Sequence, residues 1–365
     1  MSGNGAPCNP MVTSRQKPGS EMFMTALKCL LFPLILMVAC PALSSAAGYA
    51  ETHDGKEFIR EMASEHGFDA DRLRQWLGEA RRNDLVIERI SSPAEKTLTW
   101  REYRAIFIKP ERVEQGVDFL KEHRAAFDRA EAEFGVPREI IAAIIGVETW
   151  YGRYRGSFPV LDALATLAFD YPPSSAFFRS ELKQFFLMAR EQGFEPGQLE
   201  GSYAGAMGYG QFIASSYRHY AVDFDDDGIA DIFDNPVDAI GSVANYFHEH
   251  RWRPGGPVAT PLETGVSVPQ TLVVGELRPR FTVSDYRAAG LQLPAELADK
   301  EPARAFRVEG PDGHRWWLTY HNFYVITRYN HSHLYGLAVN EMAGGLRQEL
   351  LKASSAGTEH NHEAP

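Results

Sequence analysis

Cysteine is absent after residue 40. The three in the chain, Cys8, Cys29 and Cys40, all lie at its start. The folded body therefore holds no disulfide, no thiolate nucleophile and no cysteine-bound metal. A basic excess is also missing. Against 48 Asp and Glu stand only 37 Lys and Arg, a formal net charge of -11. A duplex nucleic-acid partner would need a basic face, so that role is disfavoured. An anionic polymer would have to be recognised by a shaped groove rather than by charge steering. No repeat at solenoid spacing is visible. Disorder is excluded by 44% hydrophobic and 12% aromatic content. A length of 365 residues allows a large core or two to three subdomains.

Long apolar runs are scarce as well. The one run, Met24–Leu43, has Arg15 and Lys17 upstream, Lys28 near its start and Pro33 inside, and is followed by Ser44-Ser45-Ala46-Ala47. A short run closing on small residues has the layout of an export signal rather than of a spanning helix. Its end reads in two ways. Met37-Val38-Ala39-Cys40 resembles a bacterial lipobox, in which Cys40 is lipidated and becomes the new N-terminus. The other reading is cleavage after Ala46 or Ala47. Met22 and Met24 are alternative starts.

Residues 48–136 read as a helical domain. Val113, Val117, Leu120, Arg124, Phe127 and Phe134 follow one helical stripe, with Glu and Arg on the other face. Gly135 ends that helix and Pro137 suits the first turn of the next. Residues 137–151 are apolar on nearly all sides, so this helix should be central. Helical patterns continue over Val160–Phe169 and Ser175–Gln192, and a glycine-rich turn at Gly205–Gly210 leads into another helix. Pro254-Gly255-Gly256-Pro257 breaks the pattern. Residues 253–319 then read as a small β-rich insert, with strands at Gln270–Glu276, Arg280–Val283, Ala305–Val308 and Trp316–Tyr320, and a turn at Pro311-Asp312-Gly313. Residues 320–352 return to helix, and 353–365 read as a disordered polar tail. The fold class is mainly α (α+β).

Within the central helix, Glu148 is the one carboxylate in Ile140–Gly152. Desolvation favours the neutral acid, so its pKa should rise, and a protonated carboxylic acid near neutral pH can protonate a glycosidic oxygen. The plainer alternative is a helix-end Glu paired with Arg153 or Arg155.

A second constellation is Asp223-Phe224-Asp225-Asp226-Asp227-Gly228-Ile229-Ala230-Asp231-Ile232-Phe233-Asp234. Oxygen ligands at alternating positions wrap one hard cation, here Ca²⁺. Asp223, Asp225 and Asp227 would supply carboxylates, Gly228 the sharp turn and Ile229 a carbonyl. The twelfth position carries Asp234, shorter than the usual Glu, and Asp238 competes for that place. A solvated acidic loop is the alternative, but so many acids in one loop would repel one another without a cation. The loop occurs once, which suits a structural staple rather than a sensor.

Four segments taken together carry a resemblance. They are Ile144–Gly152, Gly201-Ser202-Tyr203-Ala204-Gly205-Ala206-Met207-Gly208-Tyr209-Gly210-Gln211-Phe212, Asn235–Phe247 and Ile326-Thr327-Arg328-Tyr329-Asn330. In this order, with the acidic loop between the second and third, residues 55–350 closely resemble the membrane-bound lytic murein transglycosylase B family. The resemblance implies a lysozyme-like helical core (137–252), an added N-terminal helical domain (48–136), a small β-rich insert (253–319) and one calcium loop. It implies cleavage of the β-1,4 bond between N-acetylmuramic acid and N-acetylglucosamine of peptidoglycan, with the muramyl 6-hydroxyl closing on its own anomeric carbon. It implies Glu148 as the single catalytic acid/base. Ser202 and Gln211 would line the cleft, Tyr246 would stand beside the cleaved sugar, Tyr329 and Asn330 would reach in from the last segment, and Tyr103 would be a cleft tyrosine. The glycan strands of peptidoglycan are the implied partner. Nucleic acid and organic cofactors are not expected, and no cell-wall synthesis partner is named by the sequence. The implied location is the periplasm, with an outer-membrane lipid anchor if Cys40 is modified.

Single residues also have plainer readings. Gln211 could satisfy backbone in the glycine-rich turn, Ser202 could cap a helix, and Tyr246, beside Val243 and Phe247, could be core. His331 and His333 suit a helix start better than a metal, since no third ligand is apparent. Trp316 and Trp317 suit insert packing, at least one of them. Two other functions remain: a hydrolytic muramidase of the same fold, and a non-catalytic glycan-binding protein.

Overall fold

The computed structural model describes residues 48–92, 98–310 and 313–360. All belong to one compact unit. The export segment Met24–Leu43, with Cys40, and the tail end 361–365 lie outside the described residues.

Helices His53–His66, Ala70–Glu79 and Asp84–Ser91 each begin at a cap residue, Thr52, Asp69 and Asn83 respectively, whose side chain accepts a first-turn N–H. Helix Trp100–Phe107 opens with a capping box of Thr99 and Glu102. The expected stripe from Val113 to Phe134 is two helices, Pro110–Glu122 and Arg124–Phe134, which meet at His123. Val117, Leu120 and Phe127 are buried, whereas the break leaves Arg124 exposed.

Helix Arg138–Thr149 is the centre of the molecule. Pro137 precedes it as the N-cap residue, one place before the first turn, and every residue from Glu139 to Thr149 is buried except Glu148, which is partly exposed. Each isoleucine buried here contributes roughly 1.5–3 kcal/mol. Around it pack Pro110–Glu122, Arg124–Phe134, Pro236–Glu249 and the closing helix His333–His360. The closing helix was expected to stop near Lys352, but its backbone continues to His360.

The insert is a four-stranded antiparallel sheet in the order Ala259–Pro261, Gly313–Tyr320, Pro302–Gly310, Phe281–Thr282. The expected strand Gln270–Glu276 is not formed. Pro269 starts a single 3-10 turn over Gln270–Leu272, and Phe281–Thr282 already occupies the edge at Pro302 and Ala303. Only Val273 pairs, with Ala305. A short helix, Val283–Ala288, follows the edge strand. Alternation along Pro302–Gly310 splits its side chains. Ala303 and Ala305 join the insert's own core, while Phe306 and Val308 join a junction with Trp100, Tyr103, Trp317 and Leu337. That junction fixes the insert against helix Trp100–Phe107 and the closing helix. Trp317 is buried in it, and Trp316 is partly buried against the insert core.

Candidate active site and calcium loop

Glu148 stands one residue from the end of the central helix. The helix is terminated by three successive residues of positive φ: Trp150 (53°), Tyr151 (58°) and Gly152 (86°). For the two non-glycine residues this conformation stores roughly 1–3 kcal/mol each. The compensation is visible. Trp150 N–H and Tyr151 N–H donate back to Gly146 and Ile145 carbonyls, and Tyr151 is wedged where a Cβ on Gly116 or Gly146 would lie 2.1 or 2.6 Å from its hydroxyl. Thr149 Oγ1 accepts from Gly152 N–H and donates to the Tyr209 carbonyl at 2.9 Å, which ties the end of the helix to the glycine-rich loop.

Tyr335, two residues into the closing helix, donates its hydroxyl to Glu148 Oε1 at 2.6 Å. Its ring stacks on that of Tyr329, with centroids 6.5 Å apart at 9°. Burial holds both phenols well above the ordinary tyrosine range, and the neighbouring charge of Glu148 adds to this in each; Tyr103 also acts on Tyr335. Both phenols therefore stay protonated and act as donors. Tyr329 Oη donates to the Gly210 carbonyl at 2.5 Å, an approach a Cβ at Gly210 would obstruct at 2.7 Å. Tyr103, Glu148 and Tyr329 are thus gathered from three distant segments, and Tyr335 joins them.

The remaining candidates take more local places. Tyr246 is 7% exposed. Its hydroxyl donates to the Arg328 carbonyl at 2.7 Å and its ring packs on Tyr329 and His250. Gln211 has φ 51° and donates Nε2 to the carbonyls of Arg155 and Gly208. Ser202 Oγ accepts from Ala204 and Ala206 N–H inside the glycine-rich loop, so it caps a turn rather than a helix. No described contact joins Ser202 to the tyrosine cluster. Asn330 is exposed and lines a cavity together with Tyr103.

Carboxylate oxygens of Asp223, Asp225, Asp227 and Asp238 lie within 4.8 Å of one another. Gly228, at φ 98°, makes the turn. Asp238 sits in the first turn of helix Pro236–Glu249, fully buried, and accepts from Phe224 N–H and Asp231 N–H. Burial, with the charges of Asp225 and Asp223, pushes its carboxyl up to about 6 even though these two hydrogen bonds pull the other way. Asp234 points elsewhere, with Oδ1 3.2 Å from Arg155 Nη1. Ile229 lies between the exposed acids and the buried Ala230, and its carbonyl accepts from Asp231 N–H. Four carboxylates around one point form a donor set suited to a hard cation. Arg155 couples this loop to the cleft: its guanidinium holds the Phe233 carbonyl and Asp234, and its own carbonyl accepts from Gln211.

Sequence reading did not identify Tyr335. In Leu334-Tyr335-Gly336-Leu337 it looks like any core aromatic of an amphipathic helix. The available signal was its place at the start of a helix that returns to the core just after Tyr329 and Asn330.

The family model described as a transglycosylase SLT domain matches residues 51–344. The chain is 42% identical over 300 residues to membrane-bound lytic murein transglycosylase B of Escherichia coli strain K12, covering 80% of this chain and 82% of that protein. The crystal structure of soluble lytic transglycosylase SltB1 from Pseudomonas aeruginosa aligns with a TM-score of 0.77 at 46% identity, over 80% of this chain and 98% of that one. The Escherichia coli lytic transglycosylase Slt35 in complex with calcium aligns with a TM-score of 0.75 at 41% identity, over 82% and 95%. The chain belongs to the transglycosylase SLT domain family and is an enzyme of the lytic murein transglycosylase B group.

Proposed function

We propose that this enzyme cleaves the β-1,4 bond between N-acetylmuramic acid and N-acetylglucosamine and closes the muramyl residue into a 1,6-anhydro ring, with Glu148 as both acid and base. The observation that carries this reading is a carboxylate held by phenols: Tyr335 donates to Glu148 Oε1 at 2.6 Å and stacks on Tyr329. The charge of Glu148 acts on both of these buried tyrosines. Hydrolysis by a glycosidase ordinarily uses two carboxyls. When the nucleophile is the substrate's own 6-hydroxyl, it is already held at the reacting carbon and one carboxyl suffices. Glu148 gives its proton to the leaving oxygen, the C1–O bond breaks, and the resulting carboxylate takes the proton of the 6-hydroxyl as the new C1–O6 bond forms.

Tyr335 orients Glu148 through its hydroxyl. Tyr329 and Tyr103 wall the site against water, and Tyr246 supports that wall from behind. Gln211 has spent Nε2 on backbone, which leaves Oε1 to meet a sugar hydroxyl or amide. Asn330 and Ser202 are assigned to the sugar amides of the cleft. Asp223, Asp225, Asp227, Asp238 and the Ile229 carbonyl would hold one Ca²⁺. That ion would offset the mutual repulsion of the acids and fix the first turn of helix Pro236–Glu249. The division into 48–136, 137–252, 253–319 and 320–352 belongs to the same reading, as do export to the periplasm and attachment through a lipidated Cys40. Among the described residues no helix is long and apolar enough to cross a membrane.

The test is Glu148→Gln assayed on purified sacculi. Release of soluble muropeptides should vanish while sedimentation with sacculi persists, and full activity in this variant would remove the assignment.

A further inference from the structure

Arg112, on helix Pro110–Glu122, is a buried cation held by ring faces. It is 7% exposed, and its Nε and Nη1 have no hydrogen-bond partner among the described residues. Burial pulls its pKa below the usual arginine value. What meets the charge is aromatic. The guanidinium carbon stands 4.3 Å from the ring centroid of Trp150 and 5.5 Å from that of Phe107. The electron-rich face of a ring attracts a cation, and more strongly where water is excluded. With two donors unused, Arg112 works through its flat face.

Both rings lead to the proposed acid. Trp150 follows Glu148 by two residues and is the first of the left-handed positions that end the central helix, at φ 53°. Its Nε1 is buried without a partner among the described residues. Packing and the cations over its face therefore fix the indole, not a hydrogen bond of Nε1. Lys109 Nζ and Arg153 Cζ are each 5.8 Å from the ring centroid, and Tyr154 meets it edge-on at 6.0 Å. Phe107 packs on Tyr103 with centroids 4.9 Å apart, and the charge of Tyr103 acts on Tyr335, the donor to Glu148. A left-handed Trp is strained and persists only where its surroundings over-determine it. The point at which this turn leaves the helix sets where Glu148 points.

We infer that Arg112 is a positioning residue for Glu148: its guanidinium pins Trp150 and Phe107 at once and so holds the turn after the acid in register with Tyr103. The inference rests on the proposed role of Glu148 and adds a residue that acts on the acid through two others. It joins helix Pro110–Glu122 to the reaction by charge against ring faces, in a place where an uncharged side chain would be easier to bury.

The test is steady-state kinetics on soluble murein strands, with Tm measured beside it. Arg112→Met keeps the length of the side chain without its charge. It should lower kcat about tenfold and leave KM within about twofold of the wild type. Arg112→Lys should recover part of that kcat even with a lower Tm than Arg112→Met, because an ammonium still lies over the rings but lacks the flat stack. Packing alone would rank the two the other way. In a Trp150→Leu background, Arg112→Met should cost little more, since the ring it pinned is gone. If Arg112→Met does not fold, Trp150→Phe and Trp150→Leu read the same contact. The first keeps a ring under the guanidinium and should hold kcat at least about threefold above the second. Wild-type kcat in Arg112→Met, no advantage of Lys over Met, additive losses with Trp150→Leu, or equal kcat in the two Trp150 variants would overturn the inference. So would a rise in KM at unchanged kcat, which would place Arg112 on the substrate. Full activity in Glu148→Gln would instead remove the reaction on which the inference rests.

Discussion

The hydroxyl of Tyr335 and Oε1 of Glu148 lie 2.6 Å apart, and this bond links the end of the central helix to the start of the closing helix. It sets one carboxyl oxygen in a fixed direction. Tyr335→Phe should lower kcat about 10- to 100-fold through lost orientation. The phenol donates to the carboxylate, so it favours the ionised form. Without it, the basic limb of the kcat profile should move to higher pH. A variant with wild-type kcat and an unmoved profile would show that the bond does not position the acid.

Asp238 predicts a pH-dependent calcium effect. Its carboxyl in the metal-free fold sits at about 6, above the ordinary Asp value of 3.8. A raised folded pKa means that stability is fully present below the unfolded value and is lost as pH rises through the folded one. Metal-free protein should lose on the order of 2–3 kcal/mol between about pH 4 and pH 7 from this group. Bound Ca²⁺ favours the carboxylate and cancels that loss. The difference in Tm between calcium-loaded and calcium-free protein should therefore widen from pH 5 to pH 7.5. An equal difference at both would place the raised group outside the cation site.

Gly116 is tested by its missing side chain. A Cβ there would meet Tyr151 Oη at 2.1 Å and Leu346 Cδ2 at 2.6 Å, both in the packed interior. Gly116→Ala should cost about 1–3 kcal/mol in urea unfolding and reduce kcat, because Tyr151 anchors the turn that follows Glu148. Adding Tyr151→Phe removes the nearest clashing atom, so the double variant should recover part of the loss. Strict additivity would contradict the wedge.

Tyr246 separates support from substrate contact. Its hydroxyl is committed to the Arg328 carbonyl. Tyr246→Phe should therefore lower stability by about 1 kcal/mol and lower kcat modestly, with KM nearly unchanged. A large rise in KM with unchanged stability would mean that the hydroxyl meets sugar directly.

What was legible in the sequence follows from physics that acts locally. Glu148 stood out because an acid in an apolar helix is unfavourable unless something compensates, and Gly228 and the alternating aspartates announced a sharp acidic turn with the donor pattern for a hard cation. That Asp238 joins the loop carboxylates was foreseeable because it lies just beyond Pro236 and Asp234 is short. Arg155, on the far side of the core sequence, is what draws Asp234 away, and spacing alone does not reveal that. Tyr335 was hidden because its partner is 187 residues distant and its own neighbours look like packing. The strand expected at Gln270–Glu276 failed for a similar reason: Phe281–Thr282 takes the sheet edge at Pro302 and Ala303, and Val273 keeps one isolated bridge, to Ala305. The break at His123 divided a stripe whose periodicity ran straight through it.

The most direct measurement is the mass of the muramic acid ends released from purified sacculi by the wild-type enzyme. The account predicts ends lighter by one water than free reducing sugars, formed throughout digestion and absent with Glu148→Gln. Ends carrying the full mass of a reducing muramic acid would contradict it, because water rather than the 6-hydroxyl would then have attacked.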